Sequence, residues 1–220
     1  MVELIDGLDA ERVRSNLERI TAEIRLAQPD PSDRVQILAA TKYVALEQLP
    51  MLHDAGVQLV GENRAQDLER KSAAYGPLFE WHFIGQLQSR RVRSILPHVQ
   101  LIHSVASASA LNELARHREL ARPDAAILIE VNVAGEQGKA GVQPEELGRF
   151  IEQAPLPVAG LMTMPPLTGE PQASRPWFAK LRELGAVHGL RHLSMGTSQD
   201  CLVAVEEGAT IVRIGTNLYY

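Results

Sequence analysis

The segment VQILAATKYV, which runs from Val35 to Val44, is apolar for most of its length and carries a lysine near its end. Continuous apolar runs of this kind are typical of strands that are covered on both faces in a parallel sheet. Seven further runs follow it along the chain: VQLVGE, EWHFIG, VQLIHS, AAILIEVNV, PVAGLMTM, RHLSMG and TIVRIG. The sequence therefore predicts eight strands.

Longer amphipathic segments lie between these runs, and one more precedes the first of them. In that first segment apolar residues recur at helical spacing after Asp9, a residue type favoured at N-caps: Val13, Leu17, Ile20 and Ile24. Seven other segments separate the strands: ALEQLPMLHDAG, NRAQDLERKSAAYG, SRRVRSILP, SASALNELARHREL, PEELGRFIEQ, SRPWFAKLRELGAVHG and SQDCLVAVEEG. In the first of these, Pro50 must begin or kink the helix.

Strict alternation of strand and helix over eight units predicts the fold class. We expect an α/β protein, a single (β/α)8 TIM barrel entered through an N-terminal helix, with residues 1–220 forming one domain. An open doubly wound sheet is the alternative. The barrel is favoured because no GxGxxG motif follows the first strand.

Composition excludes several classes of protein. The chain has 220 residues and a formal net charge of −5, so we expect no binding to nucleic acid or to a membrane surface. Its one cysteine, Cys201, cannot form an internal disulfide, and the histidines lack the spacing of a zinc motif, so we expect no metal. No signal peptide or membrane-spanning run is visible, which predicts a cytoplasmic protein.

Residues able to bind a ligand cluster at the ends of the predicted strands. Active sites of such barrels lie at the carboxyl ends of the strands, so these residues should line one mouth. In chain order they are Lys42; Glu62 and Asn63; His82 and Gly85; His103 and Ser104; Asn132; Met162 and Thr163; Ser194 and Gly196; and Arg213, Gly215 and Thr216. We therefore predict a pocket at this end of the barrel.

The last two strands end in LSMGTS and VRIGTN, which combine glycine with hydroxyl residues. Glycine lets backbone N–H groups approach a ligand, and barrels frequently bind phosphate in the loops after strands seven and eight. The alternative is that these glycines only form tight turns. The presence of both motifs on adjacent strands favours a phosphate site.

Two charged residues remain open to more than one interpretation. Lys42 is either a lysine that extends along the barrel rim to water or a nucleophile toward carbonyl groups. Together with a phosphate site, a nucleophilic lysine suits pyridoxal phosphate or a phosphorylated sugar in a class I aldolase. Arg213 points either to the helical layer, where Glu206 or Glu207 could pair with it, or into the barrel.

Seven motifs carry a resemblance to a known family, and they occur in order over nearly the whole chain: AATK, GENRAQ, WHFIGQLQSRR, VNVAGEQGKAG, GLMTMPP, LSMGTSQD and TIVRIGTNLYY. Through them the sequence resembles the pyridoxal phosphate homeostasis protein family, a single-domain relative of the alanine racemase barrel (fold type III).

The resemblance implies a cofactor and a set of residues that bind it. Pyridoxal phosphate (PLP) would form a Schiff base with Lys42, and Arg213 would face its pyridine nitrogen. Phosphate contacts are implied for Ser194 and for Gly215 and Thr216, with backbone help from Gly196. Two positions are implied to line the pocket, Asn63 and His82.

The resemblance also implies a role in vitamin B6 metabolism, in which the protein sequesters and delivers PLP as an aldimine on Lys42. We expect little or no amino-acid turnover and no catalytic residues, because the second domain that supplies a tyrosine base in alanine racemase has no counterpart here. The alternative is a PLP-dependent amino-acid racemase. Expected partners are PLP, recipient apo-enzymes and amino acids, and the expected assembly is a monomer or weak dimer.

The sequence departs from the family pattern at three points. Arg64 stands where a tyrosine is usual after GEN, so the rim of the pocket should differ from that of the family. Thr197 stands where methionine is commoner, and the sequence ends at NLYY, where relatives usually continue with Phe-Gly and a short tail.

Overall fold

A closed barrel of eight parallel strands forms the centre of the protein. The computed structural model of the chain describes residues 4–30, 32 and 34–220. The strands are β1 (Gln36–Ala40), β2 (Leu59–Glu62), β3 (Glu80–Phe83), β4 (Leu101–Val105), β5 (Ala126–Glu130), β6 (Val158–Met162), β7 (His192–Thr197) and β8 (Ile211–Ile214). Each pairs with its neighbours in chain order, and β1 closes the barrel against β8. The predicted barrel is confirmed, and the open sheet is excluded.

Helices surround the barrel, and the first of them precedes β1 as predicted. They are α1 (Ala10–Ala27), α2 (Leu49–Asp54), α3 (Ala65–Tyr75), α4 (Val92–Ile95), α5 (Ala108–Arg116), α6 (Leu147–Glu152), α7 (Arg175–Val187), α8 (Cys201–Glu206) and α9 (Thr216–Tyr219). The side chain of Asp9 caps α1 by accepting from the N–H groups of Glu11 and Arg12. Pro50 lies in the first turn of α2, where its missing N–H costs no hydrogen bond.

Two apolar layers hold the strands. Between strands and helices lies a large core in which Trp81 is buried and packs edge-to-face on Phe79. Inside the barrel, one side chain from each of six strands forms a second cluster: Leu38, Leu59, Leu101, Leu128, Met162 and Ile211. Alternation along each strand separates the two layers, because successive side chains point to opposite faces. No helix in the described part of the chain is long and apolar enough to cross a membrane.

Candidate functional site

Lys42 lies two residues beyond the end of β1 and is half-buried. Its ammonium lies 4.9 Å from the centre of the Tyr43 ring. Lys42 also lines a cavity of about 320 Å³ together with Arg64, Arg70 and Lys71. The residue that departs from the family pattern, Arg64, therefore lies on the rim beside Lys42.

Buried hydrogen bonds fix the backbone that carries Lys42. The Lys71 ammonium donates to the carbonyl of Thr41 at 2.7 Å and to the carboxylate of Glu62 at 2.6 Å. The hydroxyl of Thr41 donates to the same carboxylate oxygen at 2.7 Å. From α9, the hydroxyl of Tyr219 donates to the carbonyl of Ala40 at 3.1 Å. Both residues before Lys42 are thus anchored, which restricts where its side chain can reach.

Arg213 points into the barrel. Its Nη1 donates to the carbonyl and the hydroxyl of Ser194, and its Nη2 donates to the carbonyl of Thr163 and to the sulfur of Met164. Glu206 and Glu207 pair instead with Arg175, and Glu207 also pairs with Arg182.

Burial lowers the pKa of Arg213 to about 10, so its guanidinium stays charged at neutral pH. Arg213 also lines a cavity of about 490 Å³ at the mouth of the barrel. The other walls of this cavity come from the loop after β6, from the end of β7 and from the loop that follows β7, including Met164, Gly196 and Asp200. A permanent positive charge therefore faces this mouth cavity.

The loops after β7 and β8 are joined to each other through Ser198. Its hydroxyl accepts from the N–H of Gly215 at 3.1 Å, and its carbonyl accepts from the side chain of Asn217 at 2.8 Å. Gly196 has a φ of +89°, and a Cβ there would lie 2.6 Å from the Cβ of Ala204. The structure therefore brings Gly196, Gly215 and Thr216 to one side of the mouth, at the position predicted for a phosphate.

Asn63 follows β2, on the other side of β1. A Cβ on Gly85 would lie 2.1 Å from the carbonyl oxygen of Asn63, so only glycine permits this approach. The side-chain oxygen of Asn63 is buried and has no hydrogen-bond partner among the described residues. An unpaired buried acceptor is costly, and a ligand that donates a hydrogen bond would relieve that cost.

Two of the predicted site residues lie deeper than the mouth. Ser194 is fully buried and its hydroxyl contacts both Arg213 and His103. His82 is buried too, with one ring nitrogen against Glu80 and the other against His103. Direct contact of Ser194 or His82 with a ligand stays a prediction, because their polar atoms already have partners inside the protein.

The sequence analysis did not name Ser198 or Glu130, and it placed His103 at the mouth of the barrel, whereas His103 is fully buried against Ser194. Ser198 lies one residue beyond the glycine and hydroxyl pair that drew attention to LSMGTS. His103 ends a predicted strand but matched no motif. Glu130 on β5 is buried, and burial raises the pKa of its carboxyl, while the charge of Arg213 opposes that shift. The arrangement of the strands, which residue types alone do not give, places His103 against Ser194 and Glu130 within electrostatic reach of Arg213.

Comparisons with known proteins agree with this geometry. The family model described as the alanine racemase N-terminal domain matches residues 8–220. The pyridoxal phosphate homeostasis protein of Aquifex aeolicus is 41% identical over 220 residues, covering 95% of this chain and 96% of that protein. The chain belongs to the pyridoxal phosphate homeostasis protein family. The predicted family membership is confirmed.

Another member of the family, from Pseudomonas aeruginosa, is 38% identical over 94% of each chain. The solved structure of PipY from Synechococcus elongatus, with PLP bound, superposes with a TM-score of 0.79 and is 31% identical. That comparison covers 94% of this chain and 100% of PipY. The family fold thus extends over nearly the whole chain.

Proposed function

We propose that this protein binds pyridoxal 5'-phosphate covalently through Lys42 and holds it for delivery to other proteins. The names of its homeostasis-protein relatives and the PLP in the PipY structure support this role. We place this role in the cytoplasm, where recipient apo-enzymes are made, and assign it to residues 1–220 as one domain.

The proposal rests on one observation, the hydrogen bonding of the Arg213 guanidinium. Four of its five N–H donors are engaged inside the protein, and Nε–H has no partner among the described residues. A guanidinium can only donate hydrogen bonds, so this group suits an acceptor such as a pyridine nitrogen. A charged donor at the mouth, on the strand next to the one that leads to Lys42, fits PLP well.

The other residues present also fit this cofactor. Lys42 supplies an amine, and Asn63 supplies an unpaired buried oxygen. The joined loops of Ser198 and Gly215, with Gly196 and Thr216, supply the small residues and hydroxyl groups that phosphate sites use. When bound, PLP supplies an aldehyde that bonds reversibly to amines. The chain's residues would bind and orient it, and Lys42 would be the amine that holds its aldehyde.

Little amino-acid turnover is expected from this arrangement. Arg213 gives no proton to the ring, so a carbanion next to the ring is less stabilised than it would be beside a carboxylic acid. The alternative function, an amino-acid racemase, requires a base on each face of the substrate. Exchange of the α-proton of alanine in heavy water at about 1 per second or faster would favour the racemase.

The covalent bond can be located by reduction and mass spectrometry. Protein incubated with PLP is treated with borohydride, digested and analysed for a pyridoxyl adduct on the four lysines of the chain, Lys42, Lys71, Lys139 and Lys180. We expect the adduct on Lys42. Lys42→Ala should abolish it there together with the yellow colour, whereas Lys180→Ala serves as the matched control and should retain both. An unchanged absorption in Lys42→Ala contradicts the proposal.

A further inference from the structure

A row of buried polar side chains runs through the barrel from the mouth to its opposite end. Arg213 Nη1 lies 2.6 Å from Ser194 Oγ, and Ser194 Oγ lies 2.8 Å from His103 Nδ1. His103 Nε2 lies 3.0 Å from His82 Nδ1, and His82 Nε2 lies 2.9 Å from Glu80 Oε1. Four hydrogen bonds thus link five residues on four strands.

The row begins at the mouth and ends near solvent at the other end of the barrel. Ser194 and His103 are fully buried, and His82 is almost so, whereas the side chain of Glu80 is 45% exposed. Glu80 and His82 line a second cavity of about 410 Å³, to which Asp124 also contributes. The row therefore connects two cavities that the apolar cluster of the lumen otherwise separates.

The chemistry of the two ends fixes the direction of the first and last hydrogen bonds, and the hydroxyl of Ser194 decides the direction of the two between them. Arg213 can only donate, so Ser194 Oγ accepts from it. The hydroxyl hydrogen of Ser194 then has one acceptor within reach among the described residues, Nδ1 of His103. With Nδ1 accepting, neutral His103 carries its hydrogen on Nε2 and donates it to Nδ1 of His82. His82 in turn donates from Nε2 to Glu80, which as a carboxylate can only accept.

The opposite direction of donation between His82, His103 and Ser194 is disfavoured, because it leaves a buried donor without an acceptor. If His82 carried hydrogens on both nitrogens, it would donate to His103 Nε2, and His103 would donate from Nδ1 to Ser194. The hydroxyl of Ser194 would then accept twice and would have no acceptor for its own hydrogen among the described residues. An unsatisfied buried hydroxyl costs about 1–3 kcal/mol. The row therefore has one preferred direction, from Arg213 to Glu80.

We propose that Glu80, His82, His103 and Ser194 form a directed hydrogen-bond chain that positions Arg213 from the far end of the barrel, with both histidines neutral and protonated on Nε2. The four residues are positioning residues, because they act on a ligand only through the guanidinium. This hydrogen-bond chain is a property of the protein without a ligand. Its effect on a bound ring rests on the proposed function.

Nuclear magnetic resonance of ligand-free protein tests the chain directly. Long-range ¹H–¹⁵N spectra of histidine-labelled protein near neutral pH should show His82 and His103 as neutral rings with the hydrogen on Nε2, assigned through His82→Gln and His103→Gln. A hydrogen on Nδ1 of His103, or on both nitrogens of either ring, overturns the proposal.

A matched pair of variants tests whether a change at Glu80 affects Arg213 through the hydrogen-bond chain. Glu80→Gln removes the charge but keeps an acceptor for His82, and it should shift the ring signals of His82 and His103 and the side-chain signal of Arg213. Asp124→Asn removes an equal charge from the same cavity without touching the chain, and it should leave the Arg213 signal in place. Equal responses of Arg213 to the two variants overturn the proposal.

The last experiment measures the effect of the hydrogen-bond chain on bound PLP. His103→Phe should move the absorption maximum of the bound cofactor, whereas His103→Gln, whose amide can accept and donate in the same order, should restore it. If unaltered protein binds no PLP, the proposed function is wrong, and the magnetic resonance experiments still show whether the hydrogen-bond chain exists. If unaltered protein binds PLP and both His103 variants absorb alike, the positioning role is wrong and the proposed function stands.

Discussion

At Gly196 the backbone has a φ of +89°, and the space that a side chain would need is occupied by Ala204. Gly196→Ala should therefore reduce the free energy of unfolding by about 2–5 kcal/mol, through a left-handed penalty of about 1–2 and overpacking of about 1–3. It should also weaken PLP binding, because the loop after β7 would move. Urea denaturation and a titration with PLP measure the two effects.

Gly135 provides the matched control for this substitution. Its φ is +67°, but a Cβ there would meet nothing within 4 Å. Gly135→Ala should reduce the free energy of unfolding only by the cost of a left-handed backbone conformation, about 1–2 kcal/mol. Equal losses in the two variants would show that Ala204 yields easily and that the loop is not tightly packed.

The location of a side chain could be predicted from the sequence where it depended only on the residue lying at the end of a strand. Lys42, Asn63, Arg213 and Gly215 follow or end strands, so the barrel prediction sufficed to bring them to one mouth. The sequence left two orientations open for Arg213, because alternation along a short strand does not say which face is the lumen. The contact of His103 with Ser194 depends on strand register and could not be read from residue types.

The link between α3 and the first two strands is a buried ion pair. Lys71 on α3 and Glu62 on β2 lie in contact, both almost inaccessible to solvent. Lys71→Met should reduce the free energy of unfolding by about 3–5 kcal/mol, because it leaves the Glu62 carboxylate buried without its cation. Denaturation in urea checks the value.

The double variant Glu62→Met/Lys71→Met separates the cost of an unpaired charge from the value of the pair. Replacing a buried pair by apolar residues of similar volume is often neutral, so the double variant should recover most of the lost stability. A double variant as unstable as Lys71→Met would instead assign the loss to the contacts with Thr41.

The eight helices expected from the sequence, long and short, are present, whereas the short helix α9 was not predicted. Helix α1 runs from Ala10 to Ala27 and includes all the apolar positions that predict it, and Asp9 begins the helix as expected. The segment SRRVRSILP is α-helical only at Val92–Ile95, with a 3-10 turn on each side (Ser89–Arg91 and Leu96–His98). Pro97 lacks the N–H that would continue the α-helix. Helix α9 carries no periodic signal and was not predicted, yet it supplies Tyr219 to the site.

The buried histidines of the barrel make the stability of the whole protein depend on pH. Burial lowers the pKa of His103 well below its ordinary value of 6.5, and the positive charge of Arg213 adds to that effect. Below about pH 6.5 the unfolded chain therefore binds a proton that the native state excludes. The free energy of unfolding should fall as the pH falls, by up to about 1.4 kcal/mol per pH unit for such a histidine.

Comparison with His103→Gln isolates this contribution. His192 and His98, whose pKa values are also lowered by burial, act in the same direction. Glu130 acts in the opposite direction at lower pH, because its pKa is raised. Urea denaturation between about pH 7 and 5 should give a shallower slope for His103→Gln. Parallel curves would mean that His103 takes up a proton in the native state as easily as in the unfolded chain.

The closure of the barrel has a consequence for the newly made chain. Gln36 on β1 lies opposite Ile211 on β8, so one partner of the first strand is separated from it by 175 positions. At a synthesis rate of about 5–20 residues per second, β1 waits roughly 10–35 s on the ribosome before that partner exists. During this interval its open edge can pair with a neighbouring nascent chain, and crowded polysomes are where this protein is most exposed to aggregation.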